Sequence, residues 1–186
     1  KENISGSTGY FDLFRSRAMF PIADLRGRVV GFGGRALGDE NPKYLNSKDS
    51  FLFNKSEILY GLFQAQKHIR ELDCAVVVEG YFDVLALHAA GFQNVIATCG
   101  TALTPQHLKL LSRFTSRVVI LFDGDRAGIQ ATERAMELGL ENGWVLHGAV
   151  LPLGKDPDEV VAEDGTLGPE RLRKILEAAR PILDVR

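Results

Sequence analysis

The sequence predicts an α/β protein: a mainly parallel sheet flanked by helices, preceded by a smaller α+β subdomain with a basic surface. Three observations predict it. Short runs such as Cys74-Ala75-Val76-Val77-Val78 are apolar throughout, as in strands buried on both faces. Such runs alternate with helical patterns through short loops, the signature of strand–helix–strand crossovers. Ahead of them, glycine and turn residues are dense up to a break near Leu72. The boundaries that follow are 1–72 for the basic subdomain, 73–165 for the parallel sheet and 166–186 for a helical extension.

In chain order, residues 18–22 and 28–32 read as two short strands joined by a turn through 24–27. Residues 33–50 read as mostly loop, with Gly38-Asp39-Glu40-Asn41-Pro42 as the clearest breaker. Residues 56–71 read as a helix, with apolar residues at Leu59, Leu62, Phe63 and Ile69. After the strand at 74–78, residues 82–90 are helical and Gly91 stops them. A second strand at 95–98 precedes a helix opened by Thr104-Pro105 as N-cap and first residue. A third strand at 117–122, a helix at 127–138 closed by Gly139, and a fourth strand at 144–151 follow. Two helices, at about 158–162 and 169–179, finish the pattern.

Composition bounds the function. The chain has 186 residues, 45% hydrophobic and 25% charged, with no apolar run of 18 residues to span a membrane. No basic-then-apolar leader is visible, and the polar opening without Met reads as a piece of a longer protein. Cys74 and Cys99 are too far apart for a CxxC pair and read as two reduced, buried thiols of a cytosolic protein. The four histidines have no metal-ligand spacing with them, so a zinc site within this chain is not expected. A net charge of −2 hides an asymmetry: residues 1–70 hold 11 Lys+Arg against 7 Asp+Glu, and residues 71–186 hold 11 against 17. That split suits a polyanion-binding surface beside a cation-binding one, or mere surface variation.

The acids are placed where a parallel sheet binds ligands. One strand runs into Glu79-Gly80, another into Asp123-Gly124-Asp125, and a loop after the fourth carries Asp156-Pro157-Asp158. Strand C-termini share one edge, so three segments can gather five carboxylates: Glu79, Asp123, Asp125, Asp156 and Asp158. Clustered carboxylates need cations or raised pKa values, and an oxygen-only donor set favours a hard ion such as Mg²⁺, with Mn²⁺ as substitute. Each piece has a plainer account: Asp-Gly is a common turn, and Asp156-Pro157-Asp158-Glu159 can cap a helix. Glu79 buried at a strand end without a partner is harder to dismiss.

Glu79-Gly80, then Asp123-x-Asp125 about 40 residues on, then Asp156-x-Asp158, resembles the Toprim domain over roughly residues 73–165. That superfamily includes bacterial primases, topoisomerases, some nucleases and recombination mediators. The longer strings Val78-Glu79-Gly80-Tyr81-Phe82-Asp83-Val84 and Phe122-Asp123-Gly124-Asp125-Arg126-Ala127-Gly128 resemble bacterial replicative DNA primases of the DnaG type. So do Met19-Phe20-Pro21-Ile22, Gly27-Arg28-Val29-Val30-Gly31-Phe32-Gly33-Gly34-Arg35, Pro42-Lys43-Tyr44-Leu45-Asn46-Ser47 and Leu59-Tyr60-Gly61-Leu62. The resemblance implies a catalytic core that makes short RNA primers on single-stranded DNA by metal-dependent nucleotidyl transfer. Asp123 and Asp125 are then the first-choice metal ligands, with Asp156 and Asp158 completing the sites and Glu79 either a ligand or a general base. It further implies nucleotide contacts from Lys43, Tyr44, Asn46 and Gly80, and nucleic-acid contacts from Arg17, Arg28, Arg35 and Lys48. The partners implied are a single-stranded DNA template, nucleoside triphosphates, the RNA primer and a replicative helicase, in the cytoplasm at the replisome. A zinc-binding template module before Lys1 and a helicase-binding region after Arg186 are expected to carry the zinc and the helicase contact.

Gly31-Phe32-Gly33-Gly34-Arg35-Ala36 fits a dinucleotide fingerprint but is followed by residues that cannot sustain a helix, so it is a decoy. The expected use of Gly33-Gly34-Arg35 is close approach to a nucleic-acid backbone. Tyr81 is expected to pack or hydrogen-bond locally rather than act as a nucleophile. Two other readings stay open: a Toprim nuclease or topoisomerase module, and a non-catalytic nucleic-acid-binding scaffold.

Overall fold

The computed structural model describes residues 11–163 and 167–181. Strands β1 (Arg17–Ala23), β2 (Val29–Ala36) and β3 (Tyr44–Asn46) form an antiparallel sheet in the order β1-β2-β3. The β1–β2 turn is held by Asp24, whose carboxylate accepts from the Arg26 and Arg28 backbone N–H groups at 2.9 and 3.0 Å.

The second sheet has six strands in the order β4-β6-β5-β7-β8-β9. These are β4 (Leu59–Tyr60), β5 (Ala75–Val78), β6 (Val95–Thr98), β7 (Val118–Ile120), β8 (His147–Gly148) and β9 (Arg180–Pro181). Strands β6, β5, β7 and β8 are parallel, while β4 and β9 close the two edges antiparallel. The helices are α1 (Leu62–Leu72), α2 (Tyr81–Ala89), α3 (Pro105–Leu111), α4 (Arg126–Glu141), α5 (Pro157–Val161) and α6 (Leu167–Glu177).

Every residue of β5, β6 and β7 is buried, which is why their sequences are apolar without alternation. The pleat still divides them. Ala75 and Val77 face a core with α1, α3 and α4, including Ile69, Leu108 and Met136. Val76 and Val78 face a core with α2, α5 and α6, including Leu87, Val160 and Leu172. Helices therefore cover both faces. The chain winds from β5 outward to β6, then returns to β7 on the other side of β5. The neighbours β5 and β7 thus flank the topological switch point, where a parallel sheet opens a crevice. A third cluster (Phe20, Ile22, Phe53, Tyr81 and Cys99) is the seam between the two sheets.

Several boundaries differ from the sequence expectation, each for a physical reason. The loop read at 33–50 contains the end of β2 and all of β3, whose three residues carry no periodic signal. The helix read from 56 starts at Leu62, because Gly61 adopts φ 80° and Leu59-Tyr60 pairs with β6. So β4, although before Leu72, joins the second sheet, and α1 packs against one face of it. Gly139 does not end α4: it lies inside the helix against Leu146 and Trp144. Finally, the extension after residue 166 is not only helical, since β9 returns to pair with β8. Among the described residues, no helix is long and apolar enough to cross a membrane. Cys99 is buried and Cys74 half-buried, both free.

Candidate active site

Three turns meet at the switch point. Glu79 leaves the end of β5, and Gly80 caps α2 with its N–H donating to Asp83 Oδ2 at 2.9 Å. Asp123-Gly124-Asp125 joins β7 to α4, where Asp125 Oδ1 accepts from the Gly128 N–H at 2.8 Å. Asp156 caps α5 by accepting from the Glu159 N–H at 2.9 Å. The second and third turns are sewn together by backbone: Gly124 N–H donates to the Lys155 carbonyl at 2.8 Å, and Gly154 N–H to the Gly124 carbonyl at 3.1 Å. This contact needs glycine, because a Cβ on Gly124 would stand 2.3 Å from the Pro152 carbonyl oxygen.

The result is a cleft of about 420 Å³ with two unlike walls. Glu79, Asp83, Asp123, Asp156 and Asp158 line one; Arg35, Lys43 and Tyr44, from the first sheet, line the other. The Arg35 guanidinium lies over the Phe82 ring at 4.6 Å and the Tyr44 ring at 5.8 Å, which fixes its direction.

Among the described residues, no carboxylate of the acidic wall is in a salt bridge. Burial, then repulsion by Asp123, Asp158 and Asp156, pushes Asp83 up to about 7. Burial, then repulsion by Glu79 and the other aspartates, pushes Asp123 up to about 6. A hydrogen bond with Asp156, then burial, holds Asp158 up at about 6. Glu79 is also raised, by partial desolvation and then by Asp125, against a backbone hydrogen bond from Asp123 that lowers it. Among the described residues, no three of these carboxylates already converge to hold one ion. The donor chemistry nevertheless fits one: oxygen-only, half-desolvated and mutually repelling.

The shifts have a consequence for stability. An acid whose pKa is raised on folding binds protons in the folded state that the unfolded chain has released, so stability falls as pH rises between the two values. For Asp83, Asp123 and Asp158 that window runs from the usual 3.8 to about 6 or 7. Thermal melts in a chelator should therefore drop from about pH 4.5 to 7.5, and added Mg²⁺ should recover most of the loss at pH 7.5 but little at pH 4.5. Melting curves that are flat with pH in the chelator would show that these acids are already neutralised within the chain.

The cleft brings together Glu79, Gly80, Asp123, Asp156, Asp158, Lys43, Tyr44, Asn46 and Arg35. Four predicted residues do not line it. Asp125 is exposed and spends one oxygen as the α4 cap. Arg17 donates to the Gly34 and Lys43 carbonyls, Arg28 pairs with Asp24 at 2.6 Å, and Lys48 is exposed on the loop after β3. Two expectations are corrected. Glu79 is not buried: it stands exposed on the rim, because the strand ends just before it. The space beside Gly33 and Gly34 is taken by side chains of this chain rather than left open for a ligand. Both are buried, and a Cβ would stand 2.4 Å from the Tyr81 ring at Gly33 and 2.8 Å from the Phe14 ring at Gly34. Tyr81 itself is buried with its hydroxyl donating to Asn46, so packing and a local hydrogen bond account for it. Sequence reasoning missed Asp83, although its place three residues after the α2 cap was a usable sign of an acid turned back to the strand end.

Comparison with known proteins covers both halves of the chain. Residues 76–161 match the Toprim-like family, and residues 2–66 match the DNA primase catalytic core, N-terminal domain. The DNA primase of Pseudomonas putida is 48% identical over 186 residues, covering 98% of this chain and 28% of the relative. A crystal structure of the Aquifex aeolicus primase (zinc-binding and RNA polymerase domains) superposes with a TM-score of 0.89 at 44% identity, over 97% of this chain and 44% of that one. A DnaG primase catalytic domain bound to single-stranded DNA superposes with a TM-score of 0.81 at 46% identity, over 91% of this chain and 55% of that one. The chain thus spans about a third or less of the curated relative's length and about half of each solved core.

Proposed function

Because this chain belongs to the bacterial DNA primase family, we propose that it carries the nucleotidyl-transfer site with which such an enzyme makes short RNA primers on single-stranded DNA. One observation carries the reading: at the switch point a wall of carboxylates faces Arg35 and Lys43 across a single cleft. A nucleoside triphosphate is the ligand that needs both walls. Its anionic chain meets Lys43 and Arg35 directly, and meets the carboxylates through divalent cations.

In the reaction, the primer 3′-hydroxyl oxygen forms a bond to the α-phosphorus, the α–β phosphoanhydride breaks, and pyrophosphate leaves with the electron pair. The hydroxyl proton goes to a base, for which Glu79 on the rim is a candidate if it is not itself an ion ligand. Asp123, Asp156 and Asp158, with Asp125 and Glu79 from the rim, would hold Mg²⁺ or Mn²⁺. Such ions acidify the attacking hydroxyl and neutralise the leaving group. Tyr44, 42% exposed, offers a ring face to a base, and Gly80 lines the cleft beside it, although its N–H is already spent on Asp83. Arg17 and Lys48 extend the cationic side toward the template. Arg28, already paired with Asp24, contributes least.

The test is template-directed primer synthesis by the intact protein, with single-stranded DNA, all four ribonucleotides and Mg²⁺. Lys43→Ala should raise KM for the nucleotide about tenfold, the scale of one charge-assisted contact. An intact protein that nicks DNA and makes no primer would overturn the reading.

A further inference from the structure

The two walls of the cleft are tied together at Asn46. This residue ends β3, two positions after Tyr44 and three after Lys43. Its Oδ1 accepts from the Tyr81 hydroxyl at 2.7 Å, and its Nδ2 donates to the Cys99 carbonyl at 2.8 Å. The amide sits where Gly100 has no side chain: a Cβ there would stand 2.8 Å from Nδ2, and Gly100 holds φ +70°. Tyr81 opens α2, two residues after Glu79 and two before Asp83. Its ring is 4% exposed, stacked on Phe20 at 5.0 Å and edge-on to Tyr60 at 4.7 Å, with Gly33 pressed against it. Neither end of the Tyr81–Asn46 bond is free to swing. Cys99 follows β6, on the far side of β5 from the acids of β7.

We propose that Asn46 is a positioning residue: with the Tyr81 hydroxyl it sets the width of the cleft between the Lys43–Tyr44 wall and the Glu79–Asp83 turn. This rests on reading that cleft as the nucleotide site. The amide spends an acceptor and a donor inside the chain, on the first residue of α2 and on the residue that follows β6. Removing the amide takes a partner from the buried Tyr81 hydroxyl and from the carbonyl of buried Cys99, and removing the hydroxyl takes one from the half-buried amide; either loosens the tie between the walls. A displacement of about 1 Å is enough to affect a site that must grip one ligand from both sides. An Asn46 that touched the nucleotide directly would instead make Asn46 sensitive and the buried Tyr81 hydroxyl indifferent.

Primer synthesis by the intact protein separates these cases through KM and kcat for the nucleotide. Tyr81→Phe keeps the buried ring, so it reports on the hydroxyl even if an Asn46 variant folds poorly. Each of Tyr81→Phe and Asn46→Ser should raise KM about five- to tenfold with a smaller change in kcat, and the double variant should be no worse than the worse single. Ile22→Val, in the same seam but with no part in the hydrogen bonds of the junction, should lower the melting temperature and leave KM within about twofold, which a merely structural role for Asn46 would not distinguish. A normal KM in Tyr81→Phe, or two effects that multiply in the double variant, would overturn the proposal. Lys43→Ala is measured alongside: if it too leaves KM unchanged, the nucleotide reading of the cleft has failed, and the proposal with it.

Discussion

Asp123→Asn in the intact protein should reduce primer synthesis by about a thousandfold or more while making the metal-free chain more stable, not less. The two effects come from one arrangement. Asp123 lies at the switch point between β5 and β7, with Glu79, Asp156, Asp125 and Asp158 all near enough to disfavour its charge. At neutral pH, without cations, its ionised form is a burden on the fold. An amide of the same shape removes that burden. The full shift corresponds to roughly 3 kcal/mol, which partial exposure and screening reduce to about 1 kcal/mol. For a chain of this length that is a rise of about 2–4 °C in a chelator. In Mg²⁺ the order should reverse, because the wild type gains an ion ligand that the variant lacks. Asp125→Asn should be milder in both assays: Asp125 is exposed, and an amide oxygen still accepts from the Gly128 N–H. Equal primer synthesis by wild type and Asp123→Asn would remove Asp123 from the chemistry altogether.

The acids were legible in the sequence for a reason that does not extend to the rest of the site. An apolar run ending in Glu or Asp states both the strand and its ligand-bearing edge, so Glu79, Asp123 and Asp125, with Asp156 and Asp158 on a loop after the next strand, could be grouped before any coordinates, although Asp125 then lies outside the cleft lining. The order of the strands could not be read. Nothing in the residues of β6 says that it lies beyond β5 rather than between β5 and β7, and it is this order that makes Glu79 and Asp123 neighbours. The cationic wall was harder still. Tyr44 opens a three-residue strand and Lys43 stands just before it, and a strand that short carries no periodicity to show that it pairs with β2. The glycines misled most. Gly33-Gly34 reads as an opening for a ligand, yet each is filled by a side chain of the protein itself, Tyr81 and Phe14. A missing side chain marks a close approach without naming what approaches.

Gly128 puts that rule to use where the approaching group is backbone. It is the third residue of α4, and a Cβ on it would stand 2.1 Å from the Asp123 carbonyl oxygen and 2.8 Å from both the Asp123 carbonyl carbon and the Asp123 nitrogen. Backbone cannot rotate aside as a side chain can. In Gly128→Ala, either the first turn of α4 lifts away or the Asp123 peptide is displaced, and both pull the Asp125 cap off the Gly128 N–H. The overpacking costs about 1–3 kcal/mol and the lost cap about 1, against about 1 gained in helix propensity. A net loss of about 1–3 kcal/mol lowers the melting temperature by about 2–12 °C. Primer synthesis at 25 °C, where the chain is still folded, should fall about a hundredfold, because Asp123 moves with its backbone. Gly139→Ala is the control in the same helix. Its Cβ would meet the Leu146 side chain at 2.6 Å, far along α4 from the acids, so it should lose stability while keeping turnover. If Gly128→Ala matched Gly139→Ala in turnover, the Asp123 turn would not depend on the close approach of α4. The acidic wall would then be set by the 152–156 loop alone.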